Sequence, residues 1–111
     1  MFHVRTMSRD DFGFAVEITK PLGWELGEAD FEFMLELEPE GCFVLLEDSE
    51  RIGLATTISF GLIGWFGNLL ILDKCRKRGA GSMLVEHSIK YLLNKGVKTV
   101  VVRLHGSNPL L

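Results

Sequence analysis

The feature that most constrains this chain is the passage Leu69-Leu-Ile-Leu-Asp-Lys-Cys-Arg-Lys-Arg-Gly-Ala-Gly-Ser-Met-Leu84. Four apolar residues without polar alternation predict a strand covered on both faces. The chain then turns through Lys74, Arg76, Lys77 and Arg78, and Gly79 and Gly81 open an amphipathic segment with Met83, Leu84, Tyr91 and Leu92 on one side. A strand delivered through a glycine-bearing turn into a helix suits an anion. Glycine lets a ligand approach the backbone, and the helix start offers unpaired amide hydrogens and the positive end of its dipole. The cations add attraction at longer range.

Other phosphate sites fit less well. A Walker loop requires Lys followed by Ser or Thr after the second glycine, and a dinucleotide fingerprint requires a third glycine. Neither is present. Charge is divided along the chain: residues 1–50 carry 13 acidic and 3 basic side chains (−10), and residues 51–111 carry 2 and 9 (+7), for a net −3. An acidic first half opposes binding along a nucleic-acid backbone.

The rest reads as one domain over residues 1–111, of 47% hydrophobic content. Residues 2–7 alternate as a strand. Ser8 and Asp11 form a helix-start signal, followed by Phe12, Ala15, Val16 and Thr19 at helical spacing, with Pro21 as the stop. A loop at 22–27 holding Trp24 leads to a second helix over about 28–38, on which Phe31, Met34 and Leu35 form the apolar stripe. Strands follow at 42–47, 51–60 and about 65–72, with Gly61 and Gly64 as interruptions, then a helix at 79–95 and a strand at 97–104. The order β-α-α-β-β-β-α-β is a mixed α/β layer.

Cys42 and Cys75 form no metal set or disulfide framework, and His3, His87 and His105 are scattered, so no metal is expected. No apolar run approaches the ~18 residues of a membrane span, and no signal pattern opens the chain, which predicts a cytoplasmic protein.

Arg76-Lys-Arg-Gly79-Ala-Gly81 resembles the R/Q-x-x-G-x-G/A signature of the GNAT N-acetyltransferases, and the preceding order of elements is similar to theirs. Asp73 stands where that family usually has Pro. The resemblance implies a GNAT-like sheet and acetyl-CoA as co-substrate. Amides from Arg78 through Ser82 (Arg78, Gly79, Ala80, Gly81, Ser82) would hold the pyrophosphate, with Arg76 and Lys77 beside them. Leu70, Ile71 and Leu72 would meet the pantetheine arm. It implies transfer of acetyl to a primary amine by direct attack, with an amide near the splay of the fourth and fifth strands stabilising the oxyanion.

The general base and acid are not identified by the residues. Asn68 is the candidate on the fourth strand, in a water-orienting role, and Tyr91 reads as core. Trp24, Glu28 and Glu32, with Glu36 on the same helix face, are acceptor-side candidates because the family's first two helices border that site. The sequence ends at Ser107-Asn-Pro-Leu-Leu111, where the family's next helix begins. This implies a fold truncated after the fifth strand. It also leaves a non-catalytic CoA-binding or assembly module as the alternative to an enzyme. An open strand at 97–104 predicts a homodimer or larger assembly.

Overall fold

The computed structural model describes residues 1–72 and 79–102. Strand β1 (Phe2–Thr6) leads through a short 3-10 turn at Arg9–Asp11 into helix α1 (Phe12–Thr19). Helix α2 (Glu28–Leu37) precedes strands β2 (Cys42–Glu47), β3 (Glu50–Phe60) and β4 (Ile63–Ile71). Helix α3 (Ala80–Asn94) and strand β5 (Thr99–Val102) complete the described elements. The five strands form one sheet in sequence order. The first three pairings are antiparallel and β4–β5 is parallel. This is the mixed α/β architecture expected from the sequence.

Each face of the sheet has its own core. Met7, Val44, Leu54 and Leu70 pack with Phe12, Ala15 and Ile18 of α1 and Phe31 of α2. Phe43, Leu45, Ala55, Leu69 and Ile71 pack with Ala80 and Leu84 of α3. The period-2 alternation of β2 and β4 sends neighbouring residues into opposite layers, so the segments 42–46 and 69–71 read as unbroken apolar runs.

Three boundaries differ from the sequence reading. Helix α1 does not stop at Pro21. Its last α-helical residue is Thr19, and Pro21 lies inside a following 3-10 turn at Lys20–Leu22, where its missing N–H costs nothing. Ile18 is buried, while Val16 is only half-buried. Gly64 does not interrupt the chain but lies within β4, where a Cβ would meet Leu92 and Val97 at 3.0 Å. The glycine admits α3 and the chain after it close to the sheet. The last strand begins at Thr99 rather than 97: Val97 is buried, and the amides of Lys98 and Thr99 donate to the Leu62 carbonyl. Residues 103 and 104 lie outside the described residues.

Asp11 ties the N-terminal half together. Its carboxylate, fully buried, accepts from Arg5 at 2.7 and 2.9 Å, Arg51 Nε at 2.6 Å and the Ser8 amide at 2.8 Å. Burial alone would raise its pKa; the hydrogen bonds from Arg5, Ser8 and Arg51 outweigh that and hold it well below the usual carboxylate range. The folded pKa is therefore below the unfolded value of about 3.9. The resulting stability is present at neutral pH and is lost as pH falls from about 4 toward the folded pKa. Asp11→Ala is expected to cost about 3 kcal/mol in urea unfolding at pH 7, because two guanidinium groups lose a buried partner. The variant should also lose less stability than the parent between about pH 4 and pH 2.

Candidate functional site

The site is built on β4. This strand pairs with β3 along its whole length, from Phe60↔Ile63 to Gly53↔Ile71. Its pairing with β5 runs only from Ile63↔Thr99 to Phe66↔Val102. Gly67 through Ile71 therefore lie beyond the described β4–β5 pairing. β4 carries a bulge here, because Thr56 opposes Asn68 while Thr57 opposes Phe66, leaving Gly67 as the extra residue. A Cβ at Gly67 would lie 2.8 Å from Thr56 Oγ1, so the position excludes a larger side chain.

Asn68 follows the bulge and is 9% exposed. Its Nδ2 donates to Thr56 Oγ1 at 3.1 Å and to Met34 Sδ at 3.4 Å. A thioether accepts but cannot donate, so these contacts fix the amide orientation. The oxygen makes no hydrogen bond among the described residues, and no buried side-chain polar atom there lacks a partner.

At the far end of β4, the Leu72 amide donates to the Ile52 carbonyl at 2.8 Å. By the alternation of an antiparallel ladder, Leu70 and Leu72 direct their backbone groups to β3, and Leu69 and Ile71 direct theirs to the other edge. Of the three residues named for a pantetheine arm, Ile71 alone faces that edge. Residues 73–78 lie outside the described residues, and with them Arg76, Lys77 and Arg78 of the signature turn.

The chain re-enters at Gly79, the N-cap of α3, with φ 84° and ψ −3°. This left-handed geometry suits glycine. Ala80 and Gly81 are buried and Ser82 is exposed. The first turn of α3 carries neither an acidic residue nor a side-chain cap. Its amides therefore keep the unpaired hydrogens of a helix start.

The acceptor-side candidates are dispersed. Glu32 is ion-paired to Arg9, while Glu28 and Glu36 are exposed. Trp24 is half-buried in the α1–α2 loop, next to Glu25, which holds a left-handed φ of 53°. His87 stacks edge-on against Phe43, ring centroids 4.6 Å apart, and burial lowers its pKa. Cys42 is buried, with its thiol pushed up to about 12 by burial and by the Glu38 charge. It is not a reactive thiolate.

The sequence did not single out Glu38, which is 5% exposed. Its carboxylate accepts from the Tyr91 hydroxyl, the Ser59 amide at 2.9 Å and Ser59 Oγ at 3.1 Å, with Lys95 at 3.9 Å. Burial would raise its pKa, but the hydrogen bonds from Tyr91 and Ser59 bring it below the ordinary value. Tyr91 is pushed up by burial and by Glu38. Tyr91 lies 12 residues along α3 from Gly79, about 18 Å at 1.5 Å per residue. The pair thus ties the end of α2 to α3 at the end of the sheet away from the helix start. Only its position just before Pro39 marked Glu38, and that suggested a helix end.

Residues 5–109 match the model of the acetyltransferase (GNAT) family. The chain belongs to that family. No curated protein sequence matches it. Among solved structures it is similar to Ard1 from Thermoplasma volcanium, with TM-score 0.80, 15% identity and 86% of this chain covered. The chain spans 66% of the length of that protein. The ribosomal-protein-S18-alanine N-acetyltransferase from Escherichia coli gives TM-score 0.80 and 22% identity, covering 97% of this chain and 70% of that one. An aminoglycoside N-acetyltransferase in complex with CoA gives TM-score 0.78 and 19% identity, covering 97% and 83%. At these identities the likeness is one of fold, and it extends to the GNAT arrangement of the sheet and three helices.

Because Glu38 and Tyr91 form a structural clasp, Tyr91→Phe is expected to lower stability by about 1.5–3 kcal/mol, the range for a hydrogen bond to a charged group. Thermal unfolding monitored by circular dichroism reads this. In the same variant, the affinity for acetyl-CoA should not change.

Proposed function

We propose that this chain binds acetyl-CoA across the end of β4 and the start of α3, and transfers the acetyl group to a primary amine by direct attack. The observation that carries the reading is the start of α3, which follows the buried strand β4 and is led by left-handed Gly79, with no acidic residue and no side-chain cap in its first turn. The pyrophosphate would meet the amides of Gly79, Ala80, Gly81 and Ser82, with Arg76, Lys77 and Arg78 supplying positive charge. The pantetheine arm would run along the end of β4, at Leu70, Ile71 and Leu72.

The thioester would then lie near the Gly67 bulge. The amine nitrogen attacks the carbonyl carbon, forming a C–N bond, and a backbone amide at the divergence stabilises the oxyanion. The C–S bond breaks as the carbonyl re-forms. The ammonium proton leaves to solvent or a base, and the thiolate takes up a proton. Asn68 cannot remove a proton, but its oxygen can accept a hydrogen bond from the amine or from a water and so orient it.

One observation favours a second reading, a cofactor-binding module without turnover. The two buried carboxylates of the described residues, Asp11 and Glu38, are both committed to other partners, so neither serves as base beside Asn68. Thiol release from acetyl-CoA with a panel of amines separates the two. The proposal includes a cytoplasmic setting; among the described residues no helix is long and apolar enough to cross a membrane. It also includes self-association through β5, whose outer edge meets no strand among the described residues.

Calorimetric titration with acetyl-CoA tests the cofactor site. Binding is expected in the parent chain and at least a tenfold loss in Gly81→Glu, which sets a carboxylate among the helix-start amides. Equal affinity in both would remove the helix start from the site.

A further inference from the structure

Asn68 is the one side-chain amide of β4, in a run from 52 to 72 that holds no charged residue. Its two contacts are not equivalent. Thr56 Oγ1 can donate or accept, so it fits either end of the amide. Met34 Sδ can only accept, so it fits the nitrogen alone. Turned about, the amide would set its oxygen against the sulfur, two acceptors in contact, and a hydrogen bond would be lost at a buried site. Met34 therefore decides which end of the amide faces α2. Both Nδ2 hydrogens are then used, on Thr56 and on Met34, and what Asn68 offers a ligand is an acceptor, its oxygen.

We infer that Met34 is a positioning residue for acetyl transfer: by accepting from Nδ2 it keeps the Asn68 oxygen available to an N–H of the attacking amine or to a water beside it. The inference rests on the proposed acetyl transfer and adds to it a residue that acts through Asn68. The reversed amide would present N–H groups instead, and these would bind the lone pair that the amine needs for attack. The thioether is itself held in place. Met34 packs against the core of its face of the sheet. Two residues before it on α2, Glu32 is ion-paired to Arg9, and four residues after it Glu38 is bound by Ser59 and Tyr91. The helix is thus anchored on both sides of the sulfur, and Asn68 is oriented from an element other than its own strand.

The composition makes the test direct. The chain has three asparagines, Asn68, Asn94 and Asn108, and no glutamine, so its 15N–1H spectrum holds three side-chain amide pairs. Exposed Asn94 is the internal reference. Solvent exchange of these hydrogens is measured in the parent chain and in Met34→Leu, which keeps volume and helix propensity and removes the acceptor. In the parent, both Asn68 hydrogens are expected to exchange at least tenfold more slowly than those of Asn94. In Met34→Leu at least one of them should accelerate fivefold or more, with the thermal midpoint little changed. In thiol release from acetyl-CoA with the panel of amines, kcat should fall at least fivefold while KM for acetyl-CoA stays the same. Unchanged exchange at Asn68, or an unchanged kcat, overturns the inference. A lowered thermal midpoint with a raised KM for acetyl-CoA assigns Met34 to packing and equally overturns it. Failure of the parent to bind acetyl-CoA or to release thiol overturns the acetyl-transfer reading itself, and the exchange rates alone then decide whether Met34 orients the amide.

Discussion

The structure depends on β4, the strand whose side chains enter both cores. One edge is hydrogen-bonded to β3 from Ile63 to Ile71, and among the described residues the other pairs with β5 from Ile63 to Phe66. Backbone polar groups are costly to leave unpaired in an interior. Full pairing on the β3 side meets that demand along one edge of β4 and fixes its register from end to end.

Buried charge is kept away from this region. Asp11 joins β1, the entry to α1 and the start of β3; Glu38 joins the end of α2 to β3 and α3. Each carboxylate has several donors, which is the condition under which a buried charge is tolerated. They fix the helices at their ends and leave the middle of β4 to neutral groups. Amide and hydroxyl contacts among Asn68, Thr56 and Met34 hold geometry there without a charge that would bias the site.

Local signals made most of the architecture legible. Ser8 and Asp11 marked a helix start, and the Asp11 carboxylate does take the Ser8 amide. The apolar run at Leu69–Leu72 marked a strand covered on both faces, and its side chains divide between the two cores. What the sequence concealed depends on distant residues. Nothing local says that Arg51, forty residues on, completes the shell of Asp11. Nothing near Glu38 announces Tyr91, fifty-three residues away. Gly64 read as a breaker because glycine signals both a turn and a close approach, and only the position of α3 separates the two. In the site, the helix start at Gly79–Ser82 was legible as a motif, whereas the bulge at Gly67 depends on register with β3 and leaves no mark in the sequence of β4 alone.

The two glycines of β4 show how one short strand meets several demands. At Gly64 the missing side chain admits Leu92 and Val97 from the α3 side, which brings the start of β5 close enough to pair. At Gly67 the space belongs to Thr56 Oγ1, the same atom that holds Asn68. A side chain at Gly67 would press on that hydroxyl and disturb its hold on Asn68. The absence of charge from Arg51 to Asp73 has the same origin. β4 is buried on both faces at its end and on one face at its beginning, and alternation would send any charge either into a core or onto the surface beside the bulge. An uncharged strand satisfies both ends at once, and its remaining exposed apolar surface is a consequence of that solution.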